Sequence, residues 1–379
     1  MRIVAIGDIG VSDDMVHIGD EAMFEALVNA MDTRGVAVTG VSSHPAESAS
    51  RYGIEAIGTI GWPDDTGDRF RRVVLAADGF GGSLEPGDPA LAVIESIRSA
   101  DGVVIAGGGN LSSLWGHHIL ERAALGAIAR ALGKPLVVTG QTIGPELTEP
   151  DAALVRTLLS SARLVGLREP TSFALCESWG LTNITQTVDD ASYLVGGPVE
   201  PGGYCLVSLA NHVGSADRDS VVADVAALLD LVATSTGLTI RFLAHFGSTD
   251  AALSRGDSVM HDRVIAAMTA PAEVVAPSTS AAAALLARNA GMVVSSRYHP
   301  VVFAVPAGVP AIGIPVDDYT TVKLSGALAN FGQDGVLPVA DIARDGAALV
   351  IRLWSARPAR VDRRAEYDAW WDRVVSALG

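Results

Sequence analysis

Short runs of Val, Ile and Leu alternate with longer Ala-rich stretches of helical period along the chain, and most of the runs end in glycine or a polar turn. Continuous apolar runs belong in strands covered on both faces, and strands separated by helices build parallel sheets from βα units. In the first half the pattern predicts strands over 2–7, 36–41, 102–106, 135–139, 164–167 and 184–188. The densest Gly/Pro cluster, 196–203, interrupts the pattern and reads as a linker. A second series follows, with strands over 204–209, 239–243, 273–275, 292–295 and 310–314. The stretch 360–378 reads as a helix whose Tyr367, Trp370 and Trp371 dock it on a neighbouring surface. The expected architecture is α/β, with two doubly wound domains, 1–197 and 198–357, facing each other across a cleft. Residues 358–379 form a terminal helix expected to pack back on the first domain. The turns after the strands collect at the carboxyl edge of each sheet, where open α/β folds bind ligands.

At 379 residues the chain is long enough for two full cores, and 49% hydrophobic with 5% aromatic content fits small-residue helices on Val/Ile strands. A net charge of −16, from 27 basic and 43 acidic residues, argues against a nucleic-acid surface. Any anionic ligand must then be held by a few local Arg, Lys or backbone N–H groups acting against the global field. Cys176 and Cys205 lack both metal-ligand and disulfide-framework spacing, which favours two buried thiols. The run MRIVAIGD reaches Asp8 too soon for a signal-peptide core, and Pro306, Pro310 and Pro315 break the later apolar run as a spanning helix. The expectation is a cytoplasmic enzyme without a transmembrane segment, with peripheral contact at the inner membrane face and oligomerisation left open.

The segment Ser295-Ser296-Arg297-Tyr298-His299-Pro300 ends a predicted buried strand. If extended geometry persists past Ser296, alternation places Arg297 and His299 on one side, setting a bidentate anion clamp beside a proton carrier. Lys323, in the turn after the next strand, offers another positive charge. Arg168 stands where the run LVGL ends, directed at the expected cleft or paired with Glu169. Gly107-Gly108-Gly109-Asn110 follows GVVIA and precedes a helix expected to begin near Ser112. Such a turn either brings backbone N–H groups to an anion or is a tight turn needing positive φ. Gly140-Gln141-Thr142-Ile143-Gly144-Pro145 is a second turn, in which Gln141 offers a neutral hydrogen bond. His117 and His118 are adjacent on a predicted helix, so only one can face the ligand side. Asp8, Asp13, Asp14, His17, Asp20 and Glu21 cluster near the first helix, but their spacing matches no standard metal site. Asp20 and Glu21 also complement a helix dipole without further function.

Taken in order, GDEAM, VVIAGGGN, VTGQTIGP, GLREPTS, VDDASYL, SSRYHPVVFAVPAGVPAIGI and DDYTTVK resemble the polysaccharide pyruvyl transferase family. The resemblance spans roughly residues 1 to 330 and implies two Rossmann-like domains in a GT-B-like arrangement. It implies transfer of the pyruvyl group of phosphoenolpyruvate to sugar hydroxyls as a ketal, in polysaccharide or cell-surface glycan biosynthesis such as exopolysaccharide or cell wall. In that frame His299 is the catalytic acid/base, and Arg297 and Arg168 hold the donor's carboxylate and phosphate. Gly107, Gly108, Gly109, Asn110, Gln141, Ser296 and Lys323 are the candidate donor-binding residues. His117, His118 and Asp20 form a possible additional site. No metal or cofactor is expected, phosphoenolpyruvate being a substrate and the acceptor a sugar, nucleotide- or lipid-linked. Tyr298 stands where the family usually has Leu, and the first loop is longer and more acidic than its usual form. Two rival readings are a glycosyltransferase using a nucleotide sugar and a noncatalytic sugar- or anion-binding protein.

Overall fold

The computed structural model describes residues 1–10, 14–62, 66–250, 252–276 and 279–379, so Asp13 lies outside the described residues. The chain divides into two compact units. The first comprises Met1–Ser12, Met23–Asp190 and Ala365–Gly379, and the second Asp13–Ala22 and Ala191–Arg364. This partition differs from the contiguous division expected from the linker signal. The main stretch of the first unit ends at Asp190, ahead of the Gly/Pro cluster, and the second takes in a short piece of the N-terminal sequence.

The first unit is built on an 8-stranded sheet. Its strands lie in the order Glu55–Gly58, Ala37–Ser42, Arg2–Ile6, Gly102–Ile105, Leu136–Ile143, Leu164–Leu167 and Ile184–Gln186, all paired in parallel, with Gly108–Leu111 branching onto Leu136–Ile143. The chain's first strand is central, its early successors run outward on one side and the later ones on the other. That order is the doubly wound Rossmann form, and it reverses between Arg2–Ile6 and Gly102–Ile105. Both strands are buried except at Arg2, as their unbroken apolar content requires. The helix Pro89–Ser99 starts where Asp88 accepts the N–H of Ala90, with proline in its first turn.

The second unit repeats the plan on five parallel strands, in the order Ala272–Val274, Thr239–Phe242, Tyr204–Ser208, Met292–Ser295 and Ala311–Gly313. Its reversal falls between Tyr204–Ser208 and Met292–Ser295. Asp217 caps the helix Arg218–Thr236, which ends on Gly237 at φ 73°, and a reciprocal Asp317/Thr320 capping box opens Asp318–Ala329. A two-stranded antiparallel ribbon pairs Met15–His17 with Phe246–Ser248 and ties the N-terminal segment into this unit.

The helix Arg364–Leu378 completes the first unit. Trp371 is fully buried and Trp370 nearly so, and the Trp370 ring occupies the space a side chain at Gly166 would need. Arg34 pairs with Asp372 at 2.8 Å, and the Tyr367 hydroxyl donates to the Asp190 carbonyl at 2.8 Å. No helix among the described residues is long and apolar enough to cross a membrane.

Candidate functional site

In the first unit the structure corrects the triple-glycine reading. Gly107 to Asn110 are buried, and Gly108–Leu111 is a strand rather than a turn opening a helix. Ser112 caps a short 3-10 turn, Ser113–Trp115, and the helix begins only at Gly116. None of the three glycines has positive φ. A side chain at Gly107 or at Gly140 would instead meet the Asp190 carboxyl at 2.7 Å. Asp190 accepts the Gly107 N–H at 3.2 Å and the Thr139 hydroxyl at 2.5 Å, while its Oδ1 has no hydrogen-bond partner among the described residues. Burial pushes this carboxyl up to about 7, helped by neighbouring Asp189 and opposed by its hydrogen bonds.

Gln141 belongs to the long strand rather than to a turn, and its side-chain N–H donates to the Ala106 carbonyl at 2.5 Å. It ties two strands at the sheet edge. Arg168 is 1% exposed, and its guanidinium donates to Asp189 at 2.7 Å and to Thr142 at 2.8 Å. Its charge is used within the unit instead of being presented at the surface, and its carboxylate partner is Asp189 rather than a surface contact to Glu169. Glu169, beside it and buried, is pushed up to about 7 by desolvation despite the Arg168 charge. His117 is exposed. His118 accepts at Nδ1 from Arg122 at 3.1 Å, which leaves Nε2 facing Asp8 at 3.6 Å.

The second unit gathers the late motif at its strand-order reversal. The Ser295 hydroxyl donates to the Ser208 carbonyl at 2.8 Å, and Ser296 accepts the Ala210 N–H at 2.8 Å. The two serines stitch the ends of the reversed strands together. The extended backbone stops at Arg297, because a helix begins at Tyr298. Strand alternation therefore does not carry Arg297 and His299 to one side, as the sequence pattern suggested; Arg297 occupies the N-cap and His299 the first helical turn. Pro300 is tolerated there, where the missing N–H has no intrahelical acceptor.

Arg297 lays its Nε and Nη2 edge on Asp257, at 3.0 and 2.5 Å, and Asp257 is fully buried. The same carboxylate accepts the backbone N–H of His245 and of Phe246, at 3.2 and 2.9 Å. One buried anion thus orients the guanidinium and clamps a neighbouring loop. Among the described residues Nη1 of Arg297 has no partner, and its side chain is 32% exposed. His261 accepts the Leu209 N–H at Nε2, 2.9 Å, so it is neutral, in keeping with a pKa that burial lowers to about 4. Buried His245 is likewise lowered to about 3, by desolvation and then by His299, and its Nδ1 meets the Ser208 hydroxyl at 3.0 Å.

His299 is 8% exposed and lies against the bare backbone of Gly19, where an added Cβ would fall 2.3 Å from its Nδ1. Beside it Asp20 pairs with His17 Nε2 at 2.9 Å. Burial alone would raise the Asp20 carboxyl, but His17, His299 and Lys323 together hold it well below the usual carboxylate range. Lys323 donates to the Tyr319 hydroxyl at 3.2 Å and lies over the rings of Tyr319 and Tyr298 at 4.4 and 5.1 Å. Asp20, Ser296, Arg297, His299 and Lys323 therefore share the second unit, and Arg168, Gly107 to Asn110, Gln141, His117 and His118 the first.

A family model described as polysaccharide pyruvyl transferase matches residues 17–318, well over half of the chain. The chain belongs to the polysaccharide pyruvyl transferase family. The span takes in Asp20, Arg168, Arg297 and His299, and Lys323 lies just beyond it. Among solved structures, the UDP-GlcNAc 2-epimerase from Methanocaldococcus jannaschii is similar at a TM-score of 0.64 and 10% identity, over 99% of each chain. That from Neisseria meningitidis bound to UDP-GlcNAc is similar at 0.60 and 9% identity, over 100% of this chain and 99% of its own. The glycotransferase of kitacinnamycin is similar at 0.51 and 14% identity, over 100% and 95%. At these identities the likeness is one of fold, the GT-B-like pair of Rossmann-like domains. No curated protein sequence matches the chain.

Sequence reasoning passed over three residues of this family member's second unit: Asp257, His245 and Gly19 as a contact of His299. Asp257 and His245 are far from the SSRYH motif in sequence and meet it only through packing. One signal was available, since His245 follows the strand Thr239–Phe242 at the carboxyl edge.

Proposed function

We propose that this chain transfers the pyruvyl group of phosphoenolpyruvate to two hydroxyls of a sugar as a ketal, in polysaccharide or cell-surface glycan assembly. The observation that supports this most is the placement of Arg297 and His299 inside the family's matched span, at the carboxyl end of Met292–Ser295 where strand order reverses. In this reading His299 gives a proton to the methylene carbon of the donor while one sugar hydroxyl adds to the adjacent carbon and loses its proton to the site. The bond from that carbon to the phosphate oxygen breaks, phosphate leaves with the electron pair, and the second hydroxyl closes the ketal and loses its proton. The two hydroxyl protons thus balance the one gained by carbon and the one gained by phosphate.

Arg297, aimed by Asp257, presents its Nη1 edge to the donor's anionic groups, and Lys323 adds charge on the same unit. Arg168 acts in this reading from within, by holding Asp189 and Thr142. The scheme uses no metal or bound cofactor, and proton transfer by a positioned His contributes about 100- to 10,000-fold. The test is phosphate release from phosphoenolpyruvate over a panel of free, nucleotide-linked and lipid-linked sugars, with wild type and His299→Ala compared. Undiminished turnover in a folded His299→Ala protein removes His299 from the proton-transfer role.

A second reading, an enzyme acting on a nucleotide sugar, is favoured by the UDP-GlcNAc 2-epimerases among the similar folds. A thermal-shift panel separates the two, because a ligand at free concentration L that binds only the native state stabilises it by RT ln(1 + L/Kd) and so raises the melting temperature. Stabilisation by uridine diphosphate sugars alone favours the second reading. Binding of phosphoenolpyruvate without turnover favours a noncatalytic anion-binding protein.

A further inference from the structure

In the second unit the charge of Arg297 is matched by the buried Asp257 carboxylate. Lys323 differs, because among the described residues no carboxylate stands at ion-pair distance and its partners are aromatic. The half-buried ammonium lies 4.4 Å from the centroid of the Tyr319 ring and 5.1 Å from that of Tyr298, and it donates to the Tyr319 hydroxyl at 3.2 Å.

Two helices make this seat. Tyr319 and Lys323 are four residues apart on the helix Asp318–Ala329 and so share a face, while the Asp317/Thr320 capping box fixes where that helix starts. Tyr298 opens the short helix Tyr298–Ala304, which packs against it. At 8% exposure the Tyr298 ring cannot swing aside without opening a void. The same ring meets His299 at 5.0 Å between centroids and 82° between planes, so one side chain touches both the ammonium and the imidazole.

An aromatic face attracts a cation through its quadrupole and leaves the positive charge in place. A carboxylate would neutralise it, as Asp189 does for Arg168 in the first unit. Lysine carries much rotamer freedom, and holding the ammonium beforehand lowers the ordering cost of gripping an anion. A point charge of this kind suits a tetrahedral phosphate, whereas a planar carboxylate is better matched by a guanidinium. We propose that Tyr298 and Tyr319 are positioning residues that seat Lys323, its charge unneutralised, as the ligand of the donor's phosphate group. The role deepens the reading of phosphoenolpyruvate as donor and rests on it.

The experiment titrates the full-length protein calorimetrically with phosphoenolpyruvate and, separately, with inorganic phosphate. Tyr298→Leu and Tyr319→Leu each weaken binding about threefold to tenfold, and Tyr298→Phe, which keeps the ring, recovers most of the affinity. In a Lys323→Met background Tyr298→Leu changes the affinity no further, since the cation that the ring holds is gone. If the loss persists in full in that background, the ring acts by packing alone and the proposal is overturned. Tyr319→Leu, at a half-buried position, carries the same cycle if Tyr298→Leu does not fold. Binding of neither anion by the wild type also overturns the proposal. Binding of inorganic phosphate with this pattern, in a protein that does not take phosphoenolpyruvate, leaves the Lys323 seat standing and removes the pyruvyl transfer reading instead.

Discussion

Replacing Gly19 by alanine tests whether its bare backbone sets the position of His299. Gly19 has no positive φ, so its backbone accepts a side chain without strain. It stands in the first turn of a 15-residue helix, and Gly→Ala within a helix ordinarily favours folding by up to about 1 kcal/mol. The added methyl, however, would lie 2.3 Å from Nδ1 of His299, and ordinary contact begins at about 3.4 Å. The ring must therefore retreat by about 1 Å, within a site packed by Tyr298 and Phe303. A misplacement of about 1 Å in a reacting group costs on the order of 100-fold in rate. Gly19→Ala is expected to lose about that much in kcat for phosphate release, while repacking of one ring, about 1–3 kcal/mol, equals or exceeds the helix gain, so the melting temperature stays level or falls slightly. The assays are steady-state phosphate release and thermal melting on the same preparation. If Gly19→Ala turns over phosphoenolpyruvate at the wild-type rate, the claim that the His299 position is set by Gly19 is wrong.

Other consequences follow from the buried charges. Asp190 keeps its proton in the folded state up to about 7, against 3.8 for an ordinary carboxyl, so the native state binds the extra proton between those values. Its contribution to stability is complete below about pH 4 and is lost as pH rises toward 7, by at most about 4 kcal/mol. Asp190→Asn removes that part of the slope, so denaturant melts at pH 5 and pH 8 differ less than in wild type, with Glu169 supplying the slope that remains. Asp257→Ala leaves Arg297 uncompensated and two backbone N–H groups without an acceptor. A loss of about 3–5 kcal/mol is expected by urea unfolding, together with a raised KM for phosphoenolpyruvate; an unchanged midpoint would show that solvent replaces the carboxylate.

The α/β class and the strands that carry the late motif were legible because a strand covered on both faces needs a continuous apolar run. GVVIA and MVV became Gly102–Ile105 and Met292–Ser295. The strands Glu55–Gly58, Gly108–Leu111, Met15–His17 and Phe246–Ser248 carry no such run and were not foreseen. Their pairing comes from neighbours that present free backbone groups, not from their own side chains. The triple glycine misled for a related reason. Successive glycines permit both an anion-binding turn and close packing, and the choice was made by Asp190, distant in sequence. Arg168 likewise ends a strand as its position suggests, yet its environment is set by Asp189 and Thr142.

By itself the sequence determined which residues can carry a proton or a charge at the carboxyl edges of two parallel sheets, since periodicity and residue chemistry are local properties. Tertiary structure alone decided what surrounds them. It laid Gly19 against His299 and set Asp257 on Arg297, while Arg168 was closed inside the first unit. The reason is physical: a buried charge must find its partner in space, and no spacing along the chain records which distant residue that partner will be.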